Sequence, residues 1–549
     1  MKKNLNLRIK KICFLFAFAI IIAGIVSNTL SAQSLTQGAA AIVDKTKATI
    51  KGKVECKGKP IEGVRVSDGV ITTTTDKDGY YWLPSAKHHG YVFIVIPSGY
   101  QPVSECKVTP AFWASLQENA TTCEQHNFEL EKVDRKMTST NDMNQFRDGF
   151  LDETTRFINE QTLPVYTLVL GDMTWDYFWY SNNYMPQQYK ETMSGYPSLM
   201  FHVMGNHDND PYVADDFLSE IPYKKVLGPS YYSMNIGKVH YIILDNTIYL
   251  NDGGEEGKIG KRNYKRAITD IQIQWLKEDL AAIKDKSTPI VVAFHCPSAM
   301  NYTPDFTNQY LLENKKATRK FYDLFYGFAN VQMMSGHTHV NANMEFDTNI
   351  SMEHNIAAVC ETWWWSAKLS GLNLCKDGSP SGYKIFDVKG KDFSWYYKGI
   401  YNARNKQFRT YDMNNVKTVL KDSEIAAILA KIDNGTDNEL IRMPDNSVLI
   451  NVWDYDSKWK ISVKENGKPL EVQRVYARDP LHRRYYEYLR SKQDGKAPGK
   501  EFCSMYNSHM FLVKTQSPKS TLDIVVTDRF GNQYKETMIR PKQFTASMD

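Results

Sequence analysis

What most constrains this 549-residue chain is a set of four polar clusters in its central part, each closing a short apolar run. The runs at 165–170, 199–204, 290–294 and 331–334 have the composition of strands buried on both faces, and 239–244 is a fifth of the same kind. Gly171-Asp172 follows the first, Gly205-Asn206-His207-Asp208 the second and His295 the third. Gly336-His337-Thr338-His339 follows the fourth, one residue on. Side chains at the carboxyl ends of neighbouring strands converge on one crevice. Taken alone, Gly171-Asp172 reads as a strand-ending turn and His295 as a core histidine. Four clusters behind four strands predict one site in an α/β core. Carboxylate, amide oxygen and imidazole suit a borderline divalent ion such as Mn, Zn or Fe.

The surrounding sequence divides the chain. Residues 47–130 alternate apolar and polar side chains in short runs broken by Asp68-Gly69 and Asp78-Gly79, which predicts a small all-β domain. Its start, KGKVECKGKPIEGVRVSDGVITTTTDKDGYYWL, resembles the carboxypeptidase regulatory-like sandwich. Residues 144–371 carry the strand and helix alternation of a layered core, with a helix over 271–283. Residues 377–549 are again rich in strands and predict a second sandwich, interrupted by a helical stretch within 414–432.

Residues 1–32 have a basic start (Lys2, Lys3, Arg8, Lys10, Lys11) and an apolar run, and predict a cleaved leader for an exported protein, periplasmic or secreted. No other segment is predicted to cross a membrane. Of the 67 basic residues, five lie in that leader, so the remainder equals the 62 acidic ones. Net charge therefore gives no reason to expect nucleic acid as a partner. Seven cysteines follow the leader, an odd number, with Cys106 and Cys123 the nearest pair for a bridge.

The four clusters, in this order, resemble the calcineurin-like metallophosphoesterase superfamily, whose pattern is D-x-H, G-D, G-N-H-D or G-N-H-E, a lone His, and G-H-x-H. MFHVMGNHDND, GPSYYSMNIGKVHYIILDN and EHNIAAVCETWWW resemble an exported bacterial subfamily with a β-sandwich on each side of the catalytic domain. The resemblance implies a layered α/β core, a β-sandwich flanked by helices, between two all-β domains. It also implies a two-metal site. Asp172 would bridge both ions, Asn206, His295 and His337 would hold the second, and His339 would reach the first. His207 would be the general acid, its ring oriented by Asp176 or Asp208, while a metal-activated hydroxide attacks phosphorus.

One element of that pattern is missing. Between Leu130 and Asn144 there is no D-x-H and no apolar run, so an entire inner strand and two ligands of the first metal are expected to be absent. Asp134 or Asp142 would be the substitutes, and a single ion the outcome without them. The expectation is a hydrolase of phosphomonoesters or phosphodiesters acting on a phosphorylated small molecule or glycan. The alternative is a degenerate, catalytically impaired relative that binds a glycan or a protein. Aromatic residues near the clusters (Trp175, Tyr177, Phe178, Trp179, Tyr180 and 363–365) would stack on a sugar or nucleobase, or pack the domains together.

Overall fold

The protein is described by a computed structural model that covers residues 42, 44–45, 47–117, 122–132, 138–140, 147–163, 165–363, 365–435 and 438–546. The predicted leader, Asp134 and Asp142 lie outside the described residues. No helix among the described residues is long and apolar enough to cross a membrane.

The N-terminal part folds as two facing sheets, one built on Ile50–Cys56 and one on Arg65–Ser67 and Tyr91–Ile94. It is seated on the central domain. Asn235 N–H donates to the Ile96 carbonyl at 2.8 Å, Arg65 pairs with Asp279, and Phe93 packs edge-on against Trp275. The C-terminal part also holds two four-stranded sheets, centred on Ser447–Val452 with Asn507–Lys514 and on Lys460–Glu465 with Leu522–Thr527. The stretch within 414–432 is two helices, Met413–Leu420 and Ser423–Ile432, the second capped by Asp422.

Between them lies the α/β core, whose strands are numbered in chain order: β1 (Thr138–Thr140), β2 (Tyr166–Val169), β3 (Leu199–His202), β4 (Tyr232–Ile236), β5 (Val239–Ile243), β6 (Thr247–Tyr249), β7 (Tyr264–Arg266), β8 (Ile290–Ala293), β9 (Val331–Ser335), β10 (Ala342–Met344), β11 (Ile350–Asn355), β12 (Gly382–Lys389) and β13 (Asp392–Gly399). One sheet runs β3-β2-β1-β12-β13 and the other β4-β5-β8-β9-β11-β10, while β6 and β7 form a separate hairpin. In β2, β3, β5, β8 and β9 every residue is buried, as the apolar runs require of strands covered on both faces. The predicted helix is Asp270–Ala282, capped by Thr269; Trp275, Leu276 and Leu280 face the core, but Ile271 is exposed.

Two expectations are corrected here. The first-strand position is filled: β1, the polar tripeptide Thr138-Ser139-Thr140, pairs in parallel with β2 and antiparallel with β12. Its neighbours on both sides supply the ladder that its own sequence does not advertise. The hairpin β12–β13, assigned from sequence to the C-terminal sandwich, completes the sheet of the core instead. In addition, Cys106 and Cys123 are free thiols, as are the other described cysteines.

Candidate metal centre

Strands β2, β3, β8 and β9 end side by side, and two glycines let the segments beyond them meet. A Cβ on Gly171 would stand 2.4 Å from His295 Nδ1, and one on Gly205 would stand 2.3 Å from Asp172 Oδ1. Asp172, His337 and His339 are all held in left-handed backbone, at φ 57°, 66° and 58°. Such conformations cost on the order of 1–3 kcal/mol each and cluster where a surrounding structure over-determines them.

Proton accounting shows what these side chains can hold. His295 Nδ1 lies 2.7 Å from the Leu170 carbonyl and donates to it, which leaves the lone pair on Nε2. Facing that nitrogen are Asp172 Oδ2 at 3.0 Å, Asn206 Oδ1 at 3.1 Å and His337 Nδ1 at 3.1 Å. On its far side, His337 Nε2 meets the Tyr264 hydroxyl at 3.0 Å and Arg266 Nη2 at 3.3 Å. Two oxygen acceptors and an imidazole lone pair thus converge on a point that one N–H of His337 cannot satisfy. The donor set fits a divalent cation, with Asp172, Asn206, His295 and His337 as the residues that would hold it. Cys296 stands beside them: its Sγ and ring nitrogens of His295 and His337 lie within 4.8 Å of one another.

The charges agree with this reading. Burial would raise the Asp172 pKa, but His295 and His207 outweigh it and hold the carboxyl well below the usual range. Burial and the adjacent His295 keep the His337 ring neutral. Asp208, equally buried and beside the charge of Asp172, is pushed up; it accepts the N–H groups of Asp172, Gly205 and Thr174 at 2.8, 2.9 and 3.0 Å. Asp208 therefore fixes the two loops, and it is Asp176 that meets the His207 ring.

That contact is His207 Nδ1 to Asp176 Oδ1, 2.8 Å. Burial opposes charging His207, yet Asp176 and Asp172 prevail and raise its pKa to about 9. Its own backbone N–H donates to Asp172 Oδ1 at 3.0 Å, tying the ring to the centre.

His339 stands slightly apart. Its Nδ1 donates to the Glu361 carbonyl at 2.8 Å, as His295 does to Leu170, and its ring stacks on Trp363 at 4.1 Å. Burial and Lys376 lower its pKa to about 3, leaving Nε2 with a lone pair. Among the described residues, Asp172 and His339 are those that would hold the first ion which the resemblance implies.

The aromatic residues divide. Trp179 is fully buried and donates to Thr174 Oγ1 at 2.8 Å; Trp363 and Trp365 pack on Phe502 of the C-terminal part. Tyr177 is half exposed.

Sequence reading missed the hairpin β6–β7, which brings Arg262, Tyr264 and Arg266 to the site. Arg262 Nε donates to Asp176 Oδ2 at 2.9 Å, and Tyr249 from β6 donates to the same oxygen at 3.1 Å. The available signal was the alternation of Arg262, Tyr264 and Arg266 after the Asp252-Gly253-Gly254 turn.

Comparison with known proteins bears on most of the chain between residues 48 and 534. Residues 136–341 match the calcineurin-like phosphoesterase family, residues 48–133 the N terminal of calcineurin-like phosphoesterase, and residues 353–534 its C terminal. No curated protein matches the chain. Among solved structures it is similar to a dimetal phosphatase from Danio rerio, at 10% identity and a TM-score of 0.32, over 48% of this chain and 95% of that one. The three adjoining matches, laid over a core with these strand ends, identify the chain as a member of the calcineurin-like phosphoesterase superfamily.

Proposed function

We propose that this protein hydrolyses a phosphate ester outside the cytoplasm, with Asp172, Asn206, His295 and His337 holding metal and His207 protonating the leaving oxygen. The observation that carries the proposal is the His207–Asp176 contact beside Asp172. With Nδ1–H given to the carboxylate, the remaining ring nitrogen is the atom available to pass a proton to an ester oxygen, and the raised pKa keeps that proton on the ring at neutral pH. Divalent metal, when bound, would supply Lewis-acid activation of the attacking water and neutralise phosphoryl charge. The basic, apolar leader supports export. The substrate would be a phosphorylated small molecule or glycan.

The missing D-x-H favours a second reading, a binding protein that turns nothing over. Hydrolysis of p-nitrophenyl phosphate and its bis ester by the Mn- or Zn-loaded protein separates the two. Replacing His207 with Ala should lower turnover about 10²–10⁴-fold while metal binding is retained. If the intact protein is inactive toward both esters with metal demonstrably bound, the binding reading replaces this one.

A further inference from the structure

Tyr264 and Arg266 stand two apart on β7 and share one face, where both meet His337, while Arg262, in left-handed backbone just before the strand, also reaches the site. Arg262 is engaged by Asp176. Arg266 is different. Half-buried, its guanidinium meets two neutral groups, His337 Nε2 at 3.3 Å and the Tyr264 hydroxyl, and no carboxylate among the described residues pairs with it. A partly desolvated guanidinium without a counter-ion is unfavourable, and its planar fork matches a pair of phosphoryl oxygens.

We infer that Arg266 is a specificity-determining residue that binds non-bridging phosphoryl oxygens of the substrate and selects a terminal phosphate group over a phosphodiester. This rests on the phosphoesterase reading. A monoester dianion offers three non-bridging oxygens and two charges, so it can engage both the metal-binding cluster and Arg266. A diester offers two oxygens and one charge, and engages them less completely.

The test uses the metal-loaded full chain with p-nitrophenyl phosphate, bis-p-nitrophenyl phosphate and inorganic phosphate. Arg266→Ala should lower kcat/KM for the monoester by roughly 10–100-fold, mainly through KM, and lower it for the diester by a clearly smaller factor. Phosphate affinity measured by calorimetry should weaken by a similar factor. Arg266→Lys, which keeps the charge but loses the fork, should recover part of both, and thermal melts of the two variants establish that they fold. An equal fall for both esters with phosphate affinity unchanged overturns the inference, as does a wild-type preference for the diester. If the wild type hydrolyses neither ester, the phosphoesterase reading fails, and phosphate binding then decides alone. Loss of affinity in Arg266→Ala sustains the Arg266 anion site; unchanged affinity, or no binding by the wild type, overturns it.

Discussion

His207 and Asp176 form an ion pair in which both oxygens of the acid are spoken for: Oδ1 takes the ring N–H, and Oδ2 takes Arg262 Nε and the Tyr249 hydroxyl. Burial alone would raise the Asp176 pKa, but His207 and Arg262 hold it below the ordinary carboxylate range, so the ring faces a fixed negative charge. In metal-free protein the His207 ring should titrate near about 9 by NMR, and Asp176→Asn should bring it back toward the usual histidine range. Because the folded value is raised, the contribution to stability is complete below about 6.5 and is lost as pH rises through the folded value. A denaturant midpoint that fails to decline over that window would show that the pair is not formed.

Gly171→Ala should destabilise the fold by about 1–3 kcal/mol and weaken metal binding, because the new methyl group occupies the space of the His295 ring at a positive φ. Gly205→Ala should act similarly through Asp172. Urea unfolding and metal titration of the two variants check this.

Metal content after loading with Mn or Zn tests the site directly. His295→Ala should remove the ion bound by Asp172, Asn206, His295 and His337, whereas His339→Ala should spare it, since its ring is held separately by Glu361 and Trp363. Elemental analysis giving two ions per intact chain would require ligands beyond Asp172 and His339 for the first ion; one ion would match the four residues proposed to hold it.

Asp377 links the motif segment to the C-terminal part. It accepts the Asn341 N–H at 2.9 Å and the Ser379 hydroxyl at 2.7 Å, and pairs with His509 at 3.2 Å. Burial would raise its pKa, but His509 and these donors lower it. Its stabilising effect is therefore present above the unfolded carboxylate range and disappears as pH falls through the depressed folded value. Asp377→Asn should cost about 1–3 kcal/mol at pH 7 and flatten the acid limb of the stability curve.

The strands that position the site were readable because each is a largely apolar run followed by ligand-type residues, as in β8 before His295 and β9 before His337. Position in the sheet was harder to read. Thr138-Ser139-Thr140 has no apolar period and is too short to show one, and only its pairing with Thr167–Val169 and Lys384 makes it a core strand. The β12–β13 hairpin reads as two strands from sequence, but nothing in its residues names the sheet it joins. Arg262, Tyr264 and Arg266 look like an ordinary exposed turn until the hairpin folds over Asp176 and His337.

The seating of β1 between β2 and β12 also sets an order of events in synthesis. Ser139 finds its second partner, Lys384, only after some 240 further residues have been added, roughly 12 to 50 seconds at ordinary elongation rates. Until then the edge of the sheet beside the Asp172 strand stays open. A nascent chain that has already made every ligand-bearing segment would still be an incomplete fold, and a fragment stopping short of Gly382 would keep that edge permanently available to strands of other copies.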